Sequence, residues 1–158
     1  MTRKKNEVQW RWAGPPIDRD VIARVEESWG ISFPEDYVAC ALVNHGGRPK
    51  PKCFDFPGHP EAVFSHLLGY IDATSKNENL SITQMYDAVK DRLPDRIFPF
   101  AADPFGNLIC FDYRGPKRHS PTVVFWNHEV DDPKQMITPI CKTFTDLLEK
   151  LYEPDEED

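Results

Sequence analysis

The sequence predicts an α+β fold, a mainly antiparallel sheet (meander) with helices packed on it. Two β-rich runs, residues 98–102 and 108–113, flank Asp103-Pro104-Phe105-Gly106-Asn107, a segment of turn formers. Gly106 and Asn107 tolerate φ > 0, which a tight reversal between antiparallel strands requires. A second reversal through Arg114-Gly115-Pro116 leads to a third run at 122–126, completing the meander. Apolar residues at helical spacing before and after this block supply the packing helices.

An irregular arm holding Trp10 and Trp12 ends at Pro15-Pro16. Asp18 is placed to cap a first helix whose apolar positions are Val21, Ile22, Val25 and Trp29. Gly30 suits its left-handed end. Pro34 then opens a second helix at its first position, where a missing N–H costs little, and Tyr37, Val38, Ala41 and Leu42 form its buried face. Asn44-His45-Gly46-Gly47 stops it. Residues 48–60 are proline-rich and read as a loop with at most one short strand, Cys53–Phe56. Residues 63–71 supply a strand or two, and residues 72–79 read as a mobile polar loop. Ser81 and Gln84 have capping-box spacing ahead of a stripe of Ile82, Met85, Tyr86, Val89 and Leu93, with Pro94 forcing the exit. After the meander an Asp131-Asp132-Pro133 turn leads to a last helix from about Thr143. Its inward residues are Phe144, Leu147, Leu148 and Leu151, with Thr143 and Asp146 as a capping pair.

With 158 residues and no linker or repeat, the chain reads as one domain over 1–158, with a core at 18–153, a basic N-terminal arm and an acidic C-terminal tail. No apolar run approaches the roughly 20 residues of a membrane helix. The basic start lacks the apolar segment of a signal peptide, so the expected location is cytoplasmic. Cys40, Cys53, Cys110 and Cys141 form no C-x-x-C pair and are expected as four buried free thiols. The formal charge of −7 is concentrated in Glu153, Asp155, Glu156, Glu157 and Asp158, which leaves a body only mildly acidic. Such a tail reads as a solvated end. An acidic balance argues against direct nucleic-acid binding.

Three short motifs stand in order: Phe33-Pro34-Glu35-Asp36-Tyr37, Asn44-His45-Gly46-Gly47, and the Asp103–Asn107 turn with its flanking strands. Together, at these separations, they make the chain similar to the SUKH superfamily across residues 18–153. That superfamily includes a fungal cell-wall assembly regulator and many bacterial immunity proteins. The resemblance implies an immunity protein (antitoxin), not an enzyme. It would bind a secreted bacterial toxin, a basic nuclease domain in the sharpest version, and block its active site. A regulatory protein-interaction scaffold is the alternative, and a small hydrolase the third reading.

The residues carry no recognisable catalytic set. Neither a G-x-S-x-G elbow, a P-loop nor a Rossmann glycine pattern occurs. His45, His59, His66, His119 and His128 lack paired metal-ligand spacing, and Cys53, His59 and His66 match no zinc pattern, so neither metal nor cofactor is expected. Asp103, Asp112, His128 and Glu129 beside the meander could be read as a nuclease-like carboxylate cluster. Turn chemistry explains Asp103, Gly106 and Asn107 more simply, and the resemblance also places them in the turn. Trp126 is expected in the core with its N–H satisfied. Two basic clusters, Arg48/Lys50/Lys52 and Arg114/Lys117/Arg118/His119, could contact RNA phosphates, and a solvated loop explains them more simply. Acids lie at Glu129, Asp131 and Asp132 after the meander, and at Glu26, Glu27, Glu35 and Asp36 around the first helices. A blocker of a basic cleft profits from carboxylates, so Glu129, Asp131, Asp132, Glu35 and Asp36 are the expected partner-binding residues.

Overall fold

The computed structural model describes residues 7–116 and 120–154. The basic start of the chain, Lys117, Arg118 and His119, and the acids at 155–158 lie outside the described residues. In chain order the elements are β1 (Gln9–Arg11), α1 (Arg19–Trp29), α2 (Glu35–Asn44), β2 (Arg48–Lys50), β3 (Cys53–Phe56), β4 (His59–Val63), β5 (His66–Leu67), α3 (Ile82–Val89), β6 (Ile97–Ala102), β7 (Leu108–Asp112), β8 (Thr122–Trp126), β9 (Ile137–Cys141) and α4 (Phe144–Lys150). The fold is α+β. Strands β5-β6-β7-β8-β9 form one antiparallel sheet, and β1-β2 and β3-β4 form two small antiparallel pairs.

The central sheet is buried because its register lines up aromatic and branched residues. Phe98 pairs with Phe111, Phe111 with Val123, and Ile109 with Phe125, which puts these side chains on one face. Phe100 sits at a bulge between Pro99 and Ala101 and stacks on Phe111 at 4.1 Å between centroids. That bulge accommodates Pro99 inside a central strand. Trp29 of α1, Tyr37 of α2 and Phe144 of α4 cover this face through ring contacts with Phe98, Phe100 and Phe111. From the β3-β4 hairpin, Phe56 reaches Phe125. Each such pair adds about 1 kcal/mol beyond area burial.

Local signals place the helix ends. Gly30 ends α1 at φ 71° and donates to Glu26 O at 2.8 Å. Ser81 and Gln84 close a reciprocal capping box on α3, and Thr143 Oγ1 accepts from Asp146 N at the start of α4. Asp18 occupies the N-cap of α1, but its side chain makes no capping bond, and Pro34 is the N-cap of α2 and lies outside its first turn.

Several expectations are corrected. The N-terminal arm is not irregular: β1 pairs with β2, Trp10 opposite Pro49. The proline-rich stretch holds β2, β3 and the start of β4, because pairing partners supply what local propensity lacks. β9 was absent from the sequence reading. It carries Pro139, which an edge strand with a bulge at Val123/Val124 tolerates. Residues 72–79 form neither helix nor strand, yet they are tied down: Gln84 bonds both the N–H and the C=O of Ala73, and Ser81 Oγ donates to Asp72. All four cysteines are free, but only Cys53 and Cys110 are buried, while Cys40 and Cys141 are half-buried. No helix among the described residues is long and apolar enough to cross a membrane.

Candidate functional site

The meander's first turn is organised by one carboxylate. Asp103 Oδ1 accepts from the N–H groups of Phe105 and Asn107, both at 2.8 Å, and Oδ2 accepts from Asn107 Nδ2 at 2.8 Å. Gly106 has φ 94°, and a Cβ there would meet the His128 ring at 3.0 Å. Asn107 then reaches across to the loop after β8. Its Oδ1 accepts from His128 N at 3.0 Å and faces His128 Nδ1 at 2.6 Å. An amide oxygen only accepts, so Nδ1 carries the ring proton. Arg92 adds a bond from its guanidinium to His128 O and lies over the Trp126 ring at 5.1 Å.

The turn thereby fixes the start of the acidic loop. Asn127 Oδ1 accepts from Glu129 N at 3.0 Å, and Asp132 Oδ1 accepts from Lys134 N at 2.9 Å, two local turns that set the loop's path. Glu129, Asp131 and Asp132 are exposed, and among the described residues none forms an ion pair. Beside them lies a hollow of about 370 Å3, with Leu93, Trp126, Val130 and Met136 in its walls and Asp131 at its edge. Asp91 and Arg92 also line this hollow, so charges of both signs edge its apolar wall.

Trp126 corrects the expectation of a satisfied indole. The residue is 1% exposed, and among the described residues its buried Nε1 meets no hydrogen-bond partner.

The acids of the first two helices are differently employed. Glu35 is paired with Arg19, whose guanidinium holds that carboxyl below the usual range. Asp36 Oδ2 accepts from Thr145 N at 2.9 Å and Thr145 Oγ1 at 2.7 Å, tying α2 to the first turn of α4. Glu26 Oε2 accepts from Phe33 N at 2.6 Å. These carboxylates are committed inside the chain, and a partner would have to compete for them.

Cys53, His59 and His66 take three separate places. Cys53 is buried opposite Val63, His59 stacks on Phe56 at 4.5 Å, and His66 is buried with Nδ1 at 3.1 Å from Ser65 Oγ. Among the described residues no group of three His, Cys, Asp or Glu side chains is placed to hold a metal ion. Burial pushes the Cys40 thiol up to about 11 and Cys141 to about 12, and raises Cys53 and Cys110 as well. None is an activated nucleophile at neutral pH. Asp112 is held by Arg114 through Nε and Nη2, so neither is free.

The α+β architecture agrees with a family comparison. Residues 16–150 match the SMI1 / KNR4 family (SUKH-1). The chain belongs to this family. A relative, the SPbeta prophage-derived uncharacterized protein YokK of Bacillus subtilis (strain 168), is 31% identical over 86 residues. The match spans 52% of this chain and 42% of that protein's length. The shared SUKH-1 scaffold accounts for both the meander and the helices packed on it.

Sequence reasoning named the turn and the acidic loop separately. Their link through Asn107 and His128 is 21 positions long and carries no local signal. The apolar hollow was equally hidden, since Leu93 and Met136 come from different loops.

Proposed function

We propose that this SUKH-1 protein is a cytoplasmic immunity protein that binds and neutralises a secreted bacterial nuclease toxin by stoichiometric occlusion of its active site. Family membership is the observation that carries this reading, since bacterial SUKH proteins are typically immunity proteins. The exposed acids Glu129, Asp131 and Asp132, with Asp131 at the edge of the apolar hollow, support a docking face there. A nuclease cleft is basic because its substrate is a polyanion, so carboxylates on the blocker speed encounter and favour the right partner. The hydrogen-bonded turn that contacts this loop through Asn107 and His128 holds the start of the loop in place, which limits the ordering cost of binding. The protein itself performs no turnover.

Growth of cells co-expressing this chain and the toxin encoded beside its gene tests the reading. Co-expression restores growth, and triple reversal of Glu129, Asp131 and Asp132 to Lys abolishes the protection. Toxicity unchanged by the parent protein would reject the immunity reading.

A further inference from the structure

A second face of the molecule has the opposite sign. Arg11, Arg48, Lys50 and Lys52 line a groove of about 600 Å3, with Trp12 and Glu153 also in its wall. Strand pairing makes this patch, because β1 brings Arg11 opposite Arg48. Among the described residues no carboxylate forms an ion pair with any of the four cations. Trp12 follows β1 at φ 59°, a left-handed conformation unusual for a bulky residue, and is 76% exposed. An exposed indole beside arginine is the composition of a binding hot spot.

We propose that this groove docks an extended acidic polypeptide segment of a partner protein. The spacing sets the pattern. Arg48 and Lys50 are the two exposed residues of β2, with Pro49 buried between them. They are therefore about 7 Å apart on one face of a strand, the same repeat as alternate side chains of an extended peptide. A segment with carboxylates at alternate positions meets both cations at once, and an apolar residue beside them covers Trp12. A nucleic acid fits less well. Glu153 sits in the wall, its Oε2 accepting from Lys52 N at 3.1 Å, and interrupts the continuous cationic track that a phosphate backbone follows. The inference does not depend on the immunity reading, which uses a different surface.

Fluorescence anisotropy of a short labelled peptide with glutamate at alternate positions and one leucine tests it. The full chain is used, alongside a second background in which Asp155, Glu156, Glu157 and Asp158 are changed to their amides. Those acids carry the same charge as the peptide, and their amides remove that charge. Binding in either background is the expected result. Arg48→Glu with Lys50→Glu then weakens it at least about tenfold, and Trp12→Ala by about threefold or more. No binding in either background overturns the proposal. So does binding that survives both variants, or tighter binding of a single-stranded RNA oligonucleotide than of the peptide.

Discussion

Asp103 and Gly106 show how much a single turn decides. Asp103 is 9% exposed and accepts three hydrogen bonds, so its charge is offset within the turn. Gly106 adopts a conformation that a β-branched residue strains to reach, and a Cβ there would press on the His128 ring at 3.0 Å. Gly106→Val should therefore cost about 2–4 kcal/mol, visible as a lower urea midpoint. An unchanged midpoint would contradict the packed turn. His66 offers a pH-dependent test. Burial, with repulsion from Arg48, pulls its imidazole from the usual 6.5 down to about 4. The unfolded chain takes up this proton below about pH 6.5 while the folded chain resists until about pH 4. Stability from the neutral ring is complete above the higher value and falls as pH drops toward the lower one. The loss is on the order of 3 kcal/mol. His66→Gln should flatten that part of the stability–pH curve, and an unaltered slope would refute the assignment.

At the level of elements, carboxylates of similar appearance do different work. Asp36 joins α2 to α4 by accepting from the backbone and hydroxyl of Thr145, where the positive end of the helix also favours it. Asp36→Ala should lower stability by about 1–3 kcal/mol, whereas Glu35→Ala, which loses only an exposed and solvent-screened ion pair, should change it far less. Thermal melts of both variants distinguish them; equal shifts would contradict the tie. Asp36 and Thr145 are 109 positions apart, and no pattern in the sequence pairs them. Capping signals such as Ser81/Gln84 and the Gly30 stop are local and were legible for that reason. Strands β2 and β9 were not, because each contains proline and owes its conformation to a partner strand distant in sequence. The stacked aromatic residues of the meander were legible as strands, while Phe100's bulge depends on how β6 and β7 slide past one another.

Over the whole molecule, charge separates into an acidic loop after β8 and a cationic groove beside β1 and β2, both carried by one buried core. The start of the acidic loop is tied to the Asp103–Asn107 turn through His128 N and Asn107 Oδ1. Encounter with a basic nuclease should then slow as salt rises toward physiological strength, well before release quickens, because exposed charges are screened over about 10 Å at 0.1 M salt. The most direct measurement of the central claim is a titration of the toxin's nuclease activity with this protein. Activity should fall linearly and vanish at equimolar protein, with both chains recovered intact. Activity that persists at excess protein, or inhibition by far less than one equivalent with the toxin chemically altered, would contradict neutralisation by binding.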